Sequence, residues 1–145
     1  MARYVLHNSL GFLLSTANRS LINRLNREFL AAGMDVTAEH WAVLNELWRA
    51  DGLSQQVIAD RMGKNKVSVT KIIDAMEKRA LVKRVDDEED RRRKRIYLTP
   101  SGREMQDALS PLVSHVTEDA QTGLSDSELA TLKTLLRQLV RNLEP

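Results

Sequence analysis

The sequence contains no cysteine among its 145 residues. That absence excludes disulfide bonds, thiolate metal sites, nucleophilic cysteine chemistry and thiol-based redox switching. It also makes a reducing cytosol the default compartment, so we expect a cytoplasmic protein. Long apolar runs are missing too, since none approaches the roughly 18 residues of a membrane-spanning helix. With 42% hydrophobic residues, 29% charged residues and three prolines, the chain is predicted to fold as one soluble domain without membrane contact.

Motifs of common catalytic sites are also missing. The six glycines are scattered, so there is neither a G-x-S-x-G nucleophile elbow nor a phosphate-binding glycine loop. The three histidines, His7, His40 and His115, lack metal-ligand spacing, and the acidic run 86–90 lacks the glycine of a calcium loop. We therefore predict no enzyme activity, no metal site and no cofactor.

The net charge is only +2, but it is distributed unevenly. Residues 61–95 hold 13 basic and 7 acidic side chains, a net charge of +6, and the remaining residues have a net charge of −4. A basic centre between acidic flanks points to a polyanionic partner, although a surface charge cluster is often only solvated.

Hydrophobic periodicity predicts a mainly α-helical chain. Apolar residues three and four apart form a long first helix that ends near Gly33. The first 20 residues superficially resemble a secretory signal, but this spacing continues past the apparent cleavage site, so we interpret them as structure. Thr37 is a predicted N-cap for the second helix, and Gly52 is placed to stop it.

Two short helices follow, separated by a tight turn, which is the layout of a helix-turn-helix. Ser54 opens the first of them and Gly63 closes it. Asn65 can cap the second, whose outer face begins with the polar and basic residues 64–71. Such side chains can reach base edges and phosphates, although lysine and serine are common on any exposed helix.

From residue 81 the spacing of hydrophobic residues changes from the helical pattern to every second residue. Residues 81–85 and 95–99 are predicted strands, with Ile96 and Leu98 facing inward. The charged loop 86–94 between them makes the hairpin a wing. Arginine at a hairpin tip suits the minor groove of DNA, and Asp90 can hold a neighbouring arginine in position. A self-neutralising solvated turn is the alternative.

Two further helices complete the chain. Thr99 and Pro100 are predicted to start the first, in which Pro111 should introduce a kink. A capping box at residues 125–128 starts the last helix, whose leucines have the spacing of a coiled-coil seam.

From residue 53 to residue 102 the sequence resembles the winged helix-turn-helix of MarR-family transcriptional regulators. The signature Asp-x-Arg, five residues, Leu-Thr is matched by Asp90, Arg92, Leu98 and Thr99, and the resemblance is supported by Ser68-Val69-Thr70-Lys71 and Leu81-Val82-Lys83-Arg84. The long first helix and the two C-terminal helices also fit the family layout. One departure is Ala80, where the family commonly has glycine. A left-handed backbone there would cost roughly 1 to 2 kcal/mol.

The resemblance implies a winged helix-turn-helix with a small β wing at residues 37–99, continuous with dimerisation helices at 1–33 and 100–145. It implies a homodimer that binds a double-stranded DNA operator, with the helix from Lys66 in the major groove and Arg92 in the minor groove. Candidate DNA-binding residues are Ser54, Gln55, Lys64, Asn65, Lys66, Ser68, Thr70, Lys71, Asp90, Arg91, Arg92 and Lys94. Candidate dimer-interface residues are Leu6, Leu10, Leu129, Leu132, Leu136, Leu139 and Leu143.

The resemblance also implies a pocket for a small aromatic or anionic effector, formed by Phe12, Thr16, Arg19, His40 and Trp41. We therefore expect a transcriptional regulator that represses its promoter until an effector releases it. The competing interpretation is a winged-helix protein-interaction module without direct DNA readout.

Overall fold

The computed structural model describes residue 3 and residues 5–145. Within that part of the chain, six α-helices and three short strands follow one another. In order they are α1 (Leu10–Ala31), α2 (Ala38–Arg49), β1 (Leu53–Ser54), α3 (Gln55–Met62), α4 (Lys66–Lys78), β2 (Val82–Asp86), β3 (Lys94–Leu98), α5 (Pro100–Ala120) and α6 (Asp126–Leu143). A short 3-10 helix, Leu6–Asn8, precedes α1. The mainly α winged-helix fold is confirmed.

Short polar side chains cap all six helices, and the sequence predicted each of these caps except the one at α1. Thr37 Oγ1 accepts a hydrogen bond from the backbone N–H of His40 at 3.3 Å. At α6, Ser125 and Glu128 form the predicted capping box. Each cap satisfies a backbone N–H that the helix leaves unpaired, which is worth about 1 kcal/mol. The same geometry caps α1, α3, α4 and α5 through Ser9, Ser54, Asn65 and Thr99.

The end of α2 differs from the predicted one. The helix stops at Arg49 with Ala50 as its C-cap, before the chain reaches Gly52. Gly52 has a φ of 73° in the turn that leads to β1, and a Cβ atom there would lie 2.7 Å from the Tyr97 ring. Glycine is therefore needed for the turn and for its close approach to the wing, not as the helix stop.

The predicted two-stranded wing has a third strand. The sheet is antiparallel in the order β1-β3-β2, and Leu53 of β1 lies opposite Ile96 of β3. A strand of two residues shows no alternation, so hydrophobic periodicity does not reveal it.

The ends of β2 and β3 each differ from the prediction by one residue. The ladder runs from Val82 opposite Leu98 to Asp86 opposite Lys94. Leu81 lies outside it because its N–H donates to the Met76 carbonyl at the end of α4. At the other end of the hairpin, the residue after Leu98 is already the N-cap of α5.

The hydrophobic core lies between the helix-turn-helix, the sheet, α2, α5 and the second half of α1. Ile96 and Leu98 are buried, which confirms their predicted inward direction. Trp48 joins this core to α5, because its Nε1–H donates to the Gly102 carbonyl at 2.9 Å. The fully buried large side chains are Phe29, Val43, Leu44, Leu47, Ile58, Val69, Ile73, Met76, Ile96, Leu109 and Val116.

Helix α6 contributes no residue to that core. Among the seven predicted interface leucines, Leu6, Leu10, Leu132 and Leu143 are exposed, and Leu129, Leu136 and Leu139 are half-buried. A single chain therefore leaves an apolar stripe on α6 largely open to solvent. Pro111 lies inside α5, which is continuous, and the predicted kink there stays a prediction.

Ala80 has the left-handed backbone considered for it in the sequence. Its φ is 56°, and it is the one non-glycine residue with positive φ in the described chain. Its N–H donates to the Glu77 carbonyl at 2.9 Å as α4 ends. The methyl group therefore carries the steric cost of that conformation, roughly 1 to 2 kcal/mol.

His40 stabilises the start of α2 in its neutral form. It is buried, and its Nδ1 accepts a hydrogen bond from the backbone N–H of Thr37 at 3.2 Å, which a protonated ring cannot do. Burial, together with the positive charge of Arg79, lowers the pKa of His40 below its usual 6.5. The unfolded chain thus binds a proton more readily than the folded chain.

We expect the free energy of unfolding to decrease as the pH falls below about 6.5, the pKa of His40 in the unfolded chain, and approaches the lower pKa of His40 in the folded chain. Thermal unfolding at pH 7.5 and 5.5, above the range in which most carboxylates titrate, measures this loss. A His40→Asn variant should lose this part of the pH dependence, and a His115→Asn variant should keep it. Equal pH dependence in wild type and His40→Asn would contradict the assignment.

Candidate nucleic-acid interface

The helix-turn-helix is fixed by its own turn residues. Gly63 closes α3 with a φ of 62°, as the sequence predicted. Asn65 Oδ1 then accepts a hydrogen bond from the Ser68 N–H at 2.8 Å and starts α4. Because Val69 and Ile73 are fully buried, the opposite side of α4 faces solvent.

Among the predicted DNA-binding residues, Gln55 and Thr70 bond to each other. Gln55 Nε2 donates to Thr70 Oγ1 at 2.7 Å, and that hydroxyl donates to the Lys66 carbonyl at 2.8 Å. These bonds join the start of α3 to the start of α4. Lys66 and Lys71 are exposed beside them, and Ser68 is half-buried.

Arg84 of β2 is a residue of this region that sequence reasoning missed. Its side chain is 19% exposed and lies 2.8 Å from Asp74 and 2.7 Å from Glu77, both on α4. Its Nε–H donates to Gln55 Oε1 at 3.2 Å. Arg84 therefore ties the wing to α3 and α4. Strand alternation puts it on the same face as buried Val82, and a basic residue on an inward face is the signal that could have identified it.

Asp87 organises the base of the wing loop. It is buried and accepts hydrogen bonds from the N–H groups of Glu89 at 2.8 Å and Asp90 at 3.3 Å, and from Arg95 Nε at 2.7 Å. The bond from the Glu89 N–H, and then that from Arg95, lower the pKa of Asp87. Arg95 also donates to the Gly52 carbonyl at 2.8 Å, so the loop is anchored to the turn before β1.

At the tip of the wing, Asp90 holds Arg92 as the sequence predicted. Asp90 Oδ1 accepts from Arg92 Nε at 3.1 Å and from its backbone N–H at 3.0 Å, and Oδ2 accepts from Nη2 at 3.2 Å. The side-chain bond is the largest cause of a lowered pKa at Asp90. The Arg92 side chain is nevertheless 91% exposed. The guanidinium is thus oriented by one carboxylate while most of its surface is open to a ligand.

A groove of about 420 Å³ separates the wing from the starts of α3 and α4. We call it the wing groove. Five of the predicted DNA-binding residues line it, and Gln56, Val57 and Arg93 complete the lining. The five are Ser54, Gln55, Lys66, Arg92 and Lys94. The predicted residues outside its lining are Lys64, Asn65, Ser68, Thr70, Lys71, Asp90 and Arg91.

The basic side chains of residues 61–95 fall into two groups. Seven form ion pairs within the chain: Arg61, Lys64, Arg79, Arg84, Arg92, Lys94 and Arg95. The other six, which form no ion pair with any residue that the structure describes, are Lys66, Lys71, Lys78, Lys83, Arg91 and Arg93. Unpaired cations therefore lie on α4 and on the wing.

A second cavity, of about 600 Å³, lies between α1, α2 and the end of α3. We call it the helix cavity. Glu39 and Glu46 of α2 line it and pair with two cations of the helix-turn-helix, Lys64 at 3.3 Å and Arg61 at 3.0 Å. The other lining residues are Asn18, Ile22, Ala38, Trp41, Ala42, Asn45 and Met62.

Only Trp41 of the five predicted effector residues lines the helix cavity. His40 is buried in the capping box, and Arg19 is exposed on α1. The Phe12 ring lies 4.8 Å from the His7 ring, and Thr16 Oγ1 is buried without a hydrogen-bond partner among the described residues. Whether the five residues contact an effector stays a prediction.

The described residues hold no group of three or more His, Asp or Glu side chains arranged to bind a metal ion. None of the helices in the described chain is long and apolar enough to cross a membrane.

Comparison with known proteins relates part of this chain to one family. Residues 34–93 match the sequence model of the MarR family. A protein assigned as transcriptional regulator of the hcr operon in Thauera aromatica is 31% identical over 106 residues, which make up 73% of this chain and 64% of that protein. The chain therefore spans less than two thirds of the length of that relative.

Two solved structures share the fold. BpsR of Bordetella bronchiseptica, whose DNA binding is regulated by 6-hydroxynicotinic acid, has a TM-score of 0.87 at 23% identity, covering 96% of this chain and 98% of that one. MepR of S. aureus, solved in complex with DNA, has a TM-score of 0.85 at 24% identity, covering 93% of this chain and 98% of that one.

Proposed function

We propose that the chain is a DNA-binding transcriptional regulator of the MarR family, and that it represses transcription as a homodimer bound to a two-fold symmetric operator. Release of the operator follows binding of a small aromatic or anionic molecule. The wing groove is the observation that carries this proposal, because it brings the starts of α3 and α4 and the Arg92 side chain to one surface.

The proposed DNA contacts are of two kinds. The first turns of α4 enter the major groove, where Lys66, Ser68 and Lys71 reach base edges and phosphates. The wing follows the adjacent minor groove, whose narrow channel concentrates negative potential around a guanidinium such as that of Arg92. A phosphate of the strand between the two grooves fits the wing groove, since its lining offers the Lys66 ammonium and the start of α3.

Gln55 and Thr70 have a positioning role in this proposal. Their mutual hydrogen bond, together with the contacts of Arg84, holds α4 at a fixed angle to α3 and to the wing. A DNA-binding surface that is rigid before DNA arrives loses less conformational entropy on binding.

A homodimer is supported by the apolar surface that one chain leaves uncovered. Fourteen large hydrophobic side chains of the described residues are exposed, and twelve of them precede residue 31 or follow residue 123. Apolar patches of that kind are typical of protein–protein interfaces. Pairing these ends would set the two copies of α4 at a fixed spacing, which an operator matches with half-sites about one helical turn apart.

The helix cavity is the proposed effector site. Its walls combine Trp41, which offers an aromatic face, with the cations of Arg61 and Lys64. An aromatic carboxylate there would compete with Glu39 for Lys64, which lies directly before the N-cap of α4. Effector binding would thus favour a different position of α4 and lower the affinity for the operator. Regulation of BpsR by 6-hydroxynicotinic acid gives a first compound to test.

The whole proposal is tested on an operator selected from a random DNA pool and labelled for fluorescence anisotropy. Excess non-specific DNA should not displace the protein from this operator at moderate salt. If the six unpaired cations each contact a phosphate, the plot of log affinity against log salt should have a slope of about −5 or steeper. Aromatic carboxylates should then weaken the complex. A flat salt response together with full competition by non-specific DNA would contradict the proposed function.

Replacing Arg92 by alanine should weaken operator binding by roughly 1 to 3 kcal/mol. The melting temperature should not change, because the side chain is 91% exposed and bonds, among the residues that the structure describes, only to nearby Asp90. Arg103→Ala is the matched control, since Arg103 is also an exposed arginine paired with an aspartate, at 2.7 Å from Asp51, but on α5. Equal operator affinities for wild type and Arg92→Ala would exclude the wing contact.

A further inference from the structure

Val67 is an exposed apolar residue on the side of the molecule that is proposed to face DNA. It is the second residue of α4, and 66% of its surface is exposed. Of the fourteen exposed large hydrophobic side chains in the described chain, only Val67 and Val85 lie between residues 37 and 99. The proposed dimer interface at the two ends of the chain does not account for either of them.

The side chain of Val67 points away from the core. The buried face of α4 consists of Val69, Ile72, Ile73 and Met76. At about 100° per residue, Val67 lies about 170° from the centre of that face. Lys71 and Asp74, both exposed, follow it along the same outer line of the helix. Val67 therefore stands at the middle of the outer face, in the first turn.

Valine at this position gains nothing from the folded chain by itself. A β-branched residue is a poorer helix former than alanine, and its apolar surface remains in water. Its surroundings are basic: neighbouring Lys66 and Lys71 form no ion pair with any described residue. An occupant of this surface must therefore be negatively charged and yet offer an apolar group at the centre of the contact.

The major groove of DNA meets both requirements. Phosphates border it, and its one apolar group is the 5-methyl of thymine, which lies on the groove floor. We infer that Val67 is a specificity-determining residue that selects thymine by contact with this methyl group. The inference rests on the proposed docking of α4 in the major groove, and it assigns the base that the middle of the outer face of α4 contacts.

Replacement of thymine by deoxyuridine tests the contact, because it removes the methyl group and leaves every hydrogen-bonding group in place. Each thymine of the selected operator is replaced in turn and binding is measured by anisotropy. For wild type, one position in each half-site should lose about fourfold in affinity, the factor expected for one buried methyl group. For Val67→Ser, the same position should show no difference between thymine and deoxyuridine.

Val85→Ser is the matched control, because Val85 is an exposed valine on the wing hairpin, and it should keep the wild-type preference. Val67→Ser should melt like wild type, since the replaced side chain packs against nothing in the core. A thymine preference that survives in Val67→Ser, or a wild type indifferent to every substitution, would overturn the inference. If operator binding and its salt dependence stay intact in that case, the proposed function stands. If wild type shows no specific binding even to the unsubstituted operator, both the inference and the proposed function are overturned.

Discussion

A Gly102→Ala variant should lose at least about 3 kcal/mol of stability. An added Cβ would lie 2.1 Å from the Leu81 carbonyl oxygen and 3.2 Å from Leu98 Cδ2. The oxygen cannot move away easily, because it accepts the Thr99 N–H at 3.1 Å where the hairpin joins α5. The glycine carbonyl is also the acceptor for Trp48 Nε1. One methyl group would therefore disturb the junction of the wing, α5 and α2.

Thermal unfolding followed by circular dichroism measures this loss. Gly11→Ala is the matched control, because Gly11 is also in the first turn of a long helix but has open space around its Cα. Alanine there should leave the stability unchanged or raise it by up to about 1 kcal/mol, as expected for helical glycine. A Gly102→Ala variant as stable as Gly11→Ala would show that the chain absorbs the clash by a small backbone shift.

The requirement for glycine at position 102 illustrates what a sequence does not contain. The first turn of α5 could be predicted, because Thr99 and Pro100 are local signals at adjacent positions. The contact with Leu81, in contrast, joins residues far apart in the chain, and no periodicity encodes it. The helix caps and the burial of Ile96 and Leu98 were predictable for the first reason. The two-residue strand β1 exists only because β3 lies beside it.

The same distinction holds in the candidate site. Asp90 and Arg92 are two residues apart, so their contact could be predicted from the sequence. The contact of Gln55 with Arg84 depends on how the strand packs against two helices, and strand alternation indicates it only weakly. Net charge has the same limit. The net charge of +6 in residues 61–95 predicted a polyanionic partner. Only the ion pairs in the structure show which of these cations are free to contact phosphates.

Replacing Leu136 by aspartate should convert the proposed dimer into monomers. Leu136 is half-buried in the single chain and lies on the stripe of α6 that the core leaves open. In a dimer this stripe would be covered by apolar surface, where an unpaired carboxylate is strongly unfavourable. Light scattering should then give the 16.5 kDa mass of one chain instead of twice that mass.

Operator binding should fall with the dimer. A monomer reaches one half-site at a time, and loss of the linked second contact lowers affinity by a factor on the order of 100 or more. Thr134→Asp provides the control, because Thr134 is exposed on the opposite side of α6 and its replacement introduces the same charge. It should keep both the dimer mass and the operator affinity. A Leu136→Asp protein that still scatters as a dimer would assign the interface to other surfaces, whereas a monomer with full operator affinity would show that the two half-sites are not bound together.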